Sequence, residues 1–409
     1  VMKYIKKIDS VYMVIPLTVL TVIGVMAAFT GGWPWNGNPY NSYVLQADAW
    51  LRGRLDLING ADYSWLELAI YGGRYYVSFP PFPSYVMLPF VLIFGTAVPD
   101  HWIALAVTVT GAVYAVRLYK TVAVNPRQTG FFVLFLYLAS GLLFVCINGH
   151  VWFIAQNMCF TLSLMSLFYA VRGKGGWSLA LWACAVGCRP MVVLYLPLLG
   201  FILWKGWREQ EGGAGIGSLI RERWYWGIGV TLIALSYMTL NYMRFGSIFE
   251  FGHNYLPEFT RTETGQFHIS YFAGNLKNLL RLPVPDPESH ALRFPTDNGM
   301  AFWLATPLFL TMAAAWLYAV VKKWRQQRVL ILLLPLLALL HVFVICCHRT
   351  LGGWHFGNRY LLDLLPYLFY GLLVWKPDED WFARWNMPLF YLGLSMQLIG
   401  TAAVYNHWM

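Results

Sequence analysis

Long apolar runs, interrupted by Pro, Gly and clusters of charge, set the rhythm of this chain. With about 20 mostly apolar residues as the length that crosses a hydrocarbon core, the pattern predicts eleven spans, near residues 11–29, 84–98, 101–119, 130–147, 151–171, 177–203, 226–243, 300–321, 329–347, 359–375 and 386–405. The first run is too long, and too free of a small-residue cleavage pattern, for an ordinary signal peptide. Lys3, Lys6 and Lys7 ahead of it place the N-terminus in the cytoplasm, and eleven spans then put the C-terminus outside. That parity also puts Arg117, Lys120, Arg127, Arg172 and Lys174 outside. If the short run 84–98 is a re-entrant hairpin instead, those clusters turn inward. With the two long outer segments discounted, Lys and Arg are in excess on the cytoplasmic side.

Two stretches lack apolar runs, 30–83 and 244–299, and both fall on the outer side. Connections of that length in a compact chain are usually functional. Residues 204–225 read as a cytoplasmic interfacial linker, and no internal repeat of the kind that marks inverted-repeat transporters is visible. The chain reads as a single all-α polytopic membrane module over 1–409.

Composition agrees. Of 409 residues, 58% are hydrophobic and 12% charged, with a mean hydropathy of +0.52; a soluble domain carries about twice that charge fraction. The net charge of +10 would suggest a nucleic-acid partner in a soluble protein, but basic residues at membrane borders account for most of it. All six cysteines (Cys146, Cys159, Cys184, Cys188, Cys346, Cys347) fall in apolar runs and read as core residues rather than redox or zinc groups. Aromatic residues reach 18%, in keeping with interfacial belts and with walls for a lipid chain.

The first outer segment opens as GGWPWNGNPYNSYVLQADAWLRGRLDL, in which residues 41–52 pattern as a short amphipathic helix with Tyr43, Ala47, Trp50 and Leu51 on one face. Asp48 and Arg52 have the i, i+4 spacing of a surface ion pair. A carboxylate held at the membrane surface is also suited to accept a proton from an incoming hydroxyl. Asp56, two residues after Arg54, is the second such candidate. Further on, YGGRYYVSFPPFP joins a Gly-Gly turn and Arg74 to a strand-like aromatic run, which Pro80, Pro81 and Pro83 end. Such an aromatic lip suits an isoprenoid or acyl chain, and interfacial anchoring explains it equally well.

Together with NYMRFGSIFEFGHNY at 241–255 and GNRYLLDLLPYL at 357–368, these segments resemble the polytopic glycosyltransferases of the GT-C superfamily, which includes protein O-mannosyltransferases and lipid A aminoarabinose transferases. The resemblance implies large outer loops after spans one and seven, where 30–83 and 244–299 fall. It also implies an acidic residue between the first span and the amphipathic helix. The matching stretch offers Asn38, Pro39 and Asn41, which leaves Asp48 or Asp56 as the expected base.

Charge density peaks in 244–299. Arg244, just after span seven, is placed to fork onto the oxygens of a lipid phosphate, or to snorkel to headgroups. Glu250 and His253 form an E-x-x-H pair, but the Phe-Gly steps around them argue against the regular helix a metal site needs. His268 and His290 have no spacing partner. Arg189 stands mid-span beside Pro190, so a cavity or a partner must face it, and a structural role at a kink competes with phosphate binding. The third outer segment, HRTLGGWHFGNRY, contributes His348, Arg349, His355 and Arg359, of which Arg359 resembles the family's basic residue at this point; Asp363 is spaced to pair with it.

These features predict transfer of a sugar from a polyprenyl-phosphate carrier to a hydroxyl of a lipid-linked or cell-surface glycan acceptor, on the outer face of a bacterial cytoplasmic membrane. Asp48 or Asp56 would act as base; Arg189, Arg244 and Arg359 would bind donor phosphate; Arg52, Arg74, Glu250, His253 and His355 would contact substrate. No GxGxxG motif is present to hold a nucleotide sugar. No cofactor is required, and a divalent metal is optional because guanidinium groups can neutralise a phosphate. A flippase for a lipid-linked sugar is the alternative.

Overall fold

The computed structural model describes residues 9–33, 35–211, 215–288 and 292–408. Lys3, Lys6, Lys7 and His290 lie outside the described residues. The helices in chain order are α1 (Val11–Phe29), α2 (Ser42–Leu51), α3 (Phe82–Phe94), α4 (Asp100–Val122), α5 (Thr129–Leu138), α6 (Leu142–Cys146), α7 (Val151–Val171), α8 (Gly175–Val186) and α9 (Leu196–Gln210). There follow α10 (Ile216–Arg223), α11 (Trp226–Phe245), α12 (Pro257–Thr260), α13 (Phe272–Leu280), α14 (Phe302–Ala305), α15 (Leu308–Lys322), α16 (Trp324–Cys346), α17 (Leu365–Trp375) and α18 (Asp380–Tyr405). Two small hairpins complete the described chain, β1 (Leu68–Tyr71) with β2 (Arg74–Val77) and β3 (Val284–Pro285) with β4 (Leu292–Arg293). Among the described residues six helices are long and apolar enough to cross a membrane: α1, α4, α7, the continuous Pro190–Gln210 segment, α16 and α18.

Helix ends gather at two poles. At the first, Asp9 ahead of α1 pairs with Lys120 near the end of α4. Asn125 and Gln128 reach Asp380, the first residue of α18, at 2.9 and 3.2 Å, and Lys323 donates to the carbonyls of Val374 and Lys376. At the second, Asn38 donates to Asp100 and to the Gly149 carbonyl, Val151 N–H meets the Tyr40 carbonyl, and Asn406 reaches Phe29. The two long polar segments, 30–83 and 244–299, both sit at this second pole, on opposite sides of the contact between Arg244 and the Val77 carbonyl at 3.0 Å.

Two apolar runs are built otherwise than their hydropathy suggests. The run 84–98 does not cross. Phe82 N–H bonds Gly187, α3 packs along α2, and the chain comes back at Asp100 to the same pole, where Asn38 awaits it. The run 177–203 is the reverse case, a helical hairpin instead of one span. Its first limb, α8, stops at Gly187; Arg189 takes an extended conformation, a 3-10 turn spans Pro190–Tyr195, and α9 runs back until Gln210 shares a hollow with Gly173 and Lys174. Pro190 and Pro197 supply the break, since neither has an N–H to continue a helical ladder. As a result Arg117, Lys120, Arg127, Arg172 and Lys174 lie toward the Asp9 pole.

The centre of the bundle is α7, flanked by α4 and α8 and buried over most of its length. Its polar side chains find partners on neighbouring helices: Asn157 Nδ2 donates to Ala104 O and the Thr108 hydroxyl at 3.0 and 2.8 Å, while its Oδ1 and Gln156 Oε1 have no partner among the described residues. Such interhelical bonds contribute about 0.6–2 kcal/mol each in a bilayer, where lipid removes any hydrophobic drive for helix association.

Candidate active site

At the second pole a cavity of about 350 Å³ opens between the start of α7, the α8–α9 turn, Glu67, Phe79 and Pro80 on either side of the β1–β2 hairpin, and the segments 249–267 and 345–360. Glu67, Arg189, Glu250, His253, Glu258, His348, Arg359 and Tyr360 line it.

Its two arginines are delivered by the same local device. Arg189 (φ −142°, ψ 104°) and Asn358 (φ −141°, ψ 101°) are extended residues that precede six-residue 3-10 turns, Pro190–Tyr195 and Arg359–Leu364. Each turn runs into a Leu-Pro step that starts an α-helix, α9 or α17, because the proline cannot donate back and the preceding residues tighten. The turns are locked together by Tyr195 stacked on Tyr367, with centroids 3.7 Å apart and planes at 6°.

Arg189 Nε donates to Asp363 at 2.9 Å. The other Asp363 oxygen accepts from Gln156 Nε2 at 2.9 Å, and the same amide nitrogen reaches the Arg359 carbonyl at 2.5 Å. Asp363 thus partners Arg189, not Arg359 at i, i+4, and the mid-span position of Arg189 has both explanations at once, a chain break and a buried counter-ion. The Tyr360 ring lies between the two guanidinium groups, 4.7 Å from Arg189 and 5.2 Å from Arg359. Arg359 gives Nε and Nη2 to the Gly352 carbonyl at 3.2 and 2.9 Å, while its buried Nη1 has no partner among the described residues. Gly352 has φ +101°, and a Cβ there would stand 2.8 Å from Arg359 Nε, so only glycine permits this contact.

The opposite wall is acidic. Glu67 sits exposed between buried Leu66 and Leu68, and its Oε2 accepts from Trp152 Nε1 at 3.1 Å. Glu258, on α12, has its pKa raised, first by burial and then by the Glu67 charge, against the opposing effects of Arg349 and His253. His253 is held neutral chiefly by burial; its Nδ1 lies 2.6 Å from the Ser78 carbonyl, so Nδ1 carries the proton and Nε2 is left as an acceptor. Burial also pushes His348 down to about 4. Its Nδ1 faces the Thr350 carbonyl at 2.7 Å and its Nε2 faces the Gln266 amide.

The remaining sequence candidates lie elsewhere or serve the scaffold. Asp48 pairs with Arg52 at 2.9 Å on α2, and Asp56 with Arg54 at 2.5 Å; neither carboxylate lines the cavity. On α2 Tyr43 and Ala47 are buried as expected, but Leu51 is exposed. Arg244 is buried at the end of α11, where Nη1 meets the Val77 carbonyl and Nη2 the Asn241 side chain at 2.9 Å, so it fastens α11 to the β1–β2 hairpin. Arg74 is exposed beside the Gly72–Gly73 turn of that hairpin. His355 is buried outside the cavity lining, and burial with the neighbouring Arg359 charge pushes it down to about 3. Glu250 does line the cavity, yet both its oxygens are occupied, by Gly252 N–H at 2.6 Å and Asn254 at 2.7 Å. Among the described residues no group of three or more His, Cys, Asp or Glu side chains is placed to hold a metal ion.

Sequence reasoning did not single out Glu67 at all, nor Glu258 from its charged neighbours. The available signal for Glu67 was alternation, a lone carboxylate between two leucines leading into a strand. The missing acid before α2 also has a structural counterpart: Asn38 is hydrogen-bonded to the buried carboxylate of Asp100, which arrives from the start of α4.

No protein-family model matches the chain, and no curated protein matches it in sequence. Among solved structures it is similar to ArnT from Cupriavidus metallidurans, crystallised bound to undecaprenyl phosphate, with a TM-score of 0.50 and 12% identity over 98% of this chain and 77% of that one. At that identity the likeness establishes the fold alone.

Proposed function

We propose that the chain is a GT-C-type membrane glycosyltransferase that moves a sugar from a polyprenyl-phosphate carrier to a hydroxyl of a lipid-linked or cell-surface acceptor. The observation that carries the reading is the pairing, in one cavity, of a buried arginine with an unpartnered Nη1 and a glutamate whose pKa is raised. A carboxylate whose pKa is raised is better matched to a hydroxyl proton, and a guanidinium nitrogen with no partner is a prepared site for a phosphate oxygen.

In the reaction, Glu258 accepts the acceptor's proton as the hydroxyl oxygen bonds to the anomeric carbon. The bond from that carbon to the phosphate oxygen breaks, and its electron pair leaves on the polyprenyl phosphate, whose growing charge Arg359 and Arg189 stabilise. Two guanidinium groups suffice for one phosphate, so no step needs a metal. This assignment moves the base from Asp48 or Asp56, which sit in local ion pairs, to Glu258, with Glu67 tuning it. We also place the Asp9 pole in the cytoplasm and the cavity outside, in a bacterial cytoplasmic membrane. The chain then makes eleven passes, with α3 as a re-entrant element and α8 and α9 counted separately.

Purified protein given a radiolabelled polyprenyl-phosphate sugar and an envelope extract is expected to label an acceptor in detergent. Absence of transfer, combined with stimulated lipid flipping in liposomes, would replace the enzyme with a flippase.

A further inference from the structure

The Asp9 pole holds a second hollow, of about 720 Å³, bounded by the end of α7, the start of α8, the end of α9 and the start of α11. Arg172, Lys174 and Arg223 supply its charge and Trp177, Trp207 and Trp226 its walls, and no carboxylate belongs to the lining. Three features make it a built site. Trp207 lines the hollow and is 4% exposed, and its buried indole Nε1 has no partner among the described residues. The first turn of the 12-residue helix α8 begins in the hollow, where the leading N–H groups of a helix have no intrahelical acceptor and favour an anion. The Trp226 ring lies where a Cβ on Gly175 would be, 1.9 Å from its nearest atom, so the missing side chain lets the ring close directly on the backbone.

The surroundings place the hollow at headgroup depth. Helix α10 carries exposed Ile216 and Ile220 together with Arg221 and Arg223, the make-up of a helix lying in a membrane interface. Trp177 and Trp224, 66% and 68% exposed, stand beside it, as interfacial tryptophans do.

We propose that this hollow binds the phosphate headgroup of an anionic phospholipid from the leaflet at the Asp9 pole. The phosphodiester oxygens accept from Arg172, Lys174, Arg223 and the Trp207 indole, and the acyl chains leave along the apolar faces of α10 and α11. The chemistry recognised is a phosphate, which a soluble anion also offers; the exposed isoleucines and tryptophans at the rim favour the lipid. The inference does not depend on the transferase reading, because its test reads binding alone.

Full-length protein, delipidated in detergent, is titrated with short-chain phosphatidylglycerol, phosphatidylcholine or millimolar inorganic phosphate, with retained lipid read by native mass spectrometry and unfolding temperature in parallel. Phosphatidylglycerol is expected to be retained and to raise the midpoint, and the other two are not. R223Q, at a half-buried side chain, should weaken phosphatidylglycerol about fivefold and R172Q/K174Q/R223Q about a hundredfold, the loss that accompanies removal of basic residues from an anionic lipid surface. W207F should weaken it without loss of fold. An unchanged preference for phosphatidylglycerol in R223Q and W207F overturns the proposal, as does inorganic phosphate that displaces the lipid.

Discussion

The two hollows of this protein use the same cation in different company. In the cavity at the second pole, Arg189 and Arg359 face Glu67 and Glu258 across the same space, and a tyrosine ring separates the guanidinium groups. In the hollow at the Asp9 pole, Arg172, Lys174 and Arg223 stand among tryptophans with no carboxylate in the lining. On the readings proposed above, both hold a phosphate. Only the first also has a candidate proton acceptor in its lining, which would separate a site able to change its ligand from one able only to keep it. Arginine content therefore says little about function here, and the sign of what faces the arginine says much more.

Several substitutions sharpen that contrast. Glu258→Gln removes the proton acceptor while keeping its shape, and transfer is expected to fall by about 10²–10⁴-fold with donor binding retained; a variant within twofold of wild type would return the base role to another carboxylate. Asp363→Asn leaves the Arg189 charge without its counter-ion and should cost about 3 kcal/mol, measured by denaturation in detergent, whereas R223Q at the other pole should leave the midpoint in lipid-free detergent unchanged. Glu67→Gln acts on pH dependence. A base works deprotonated, so activity is lost as pH falls through the raised pKa of Glu258. Because the Glu67 charge contributes to that rise, its removal should move the acidic limb of the kcat/KM profile to lower pH. The smallest effect is expected from Asp48→Asn: an i, i+4 pair with a largely exposed Arg52 contributes about 0.5 kcal/mol at most, and transfer should stay within twofold.

Much of this architecture was legible in the sequence, and the exceptions have physical causes. Helix α2 and the β1–β2 hairpin follow from local periodicity and from the Gly-Gly turn. Hydropathy misread 84–98 and 177–203 because it measures how apolar a segment is, not where its ends return. The first has no charge to betray that both ends share a pole. The second did carry a signal, an Arg-Pro pair inside an apolar run, which reads as a chain break once the cost of an intramembrane arginine is taken seriously. The arginines of the cavity were visible because a membrane penalises them. Its carboxylates were hidden in loops where charge is ordinary, and their convergence depends on contacts between segments far apart in the chain, as Trp152 with Glu67 shows.

The ion pair between Arg189 and Asp363 spans 174 residues of chain, and that separation matters during synthesis. At about 5–20 residues per second the aspartate follows the arginine by roughly 10–30 s, and a lone arginine at the middle of an inserting helix is unfavourable by about 2.5–3.5 kcal/mol. The α8–α9 hairpin, with its apex turned toward the aqueous side, gives the arginine a hydrated waiting place until α17 is inserted. A nascent chain that stalls before α17 therefore leaves Arg189 without its counter-ion.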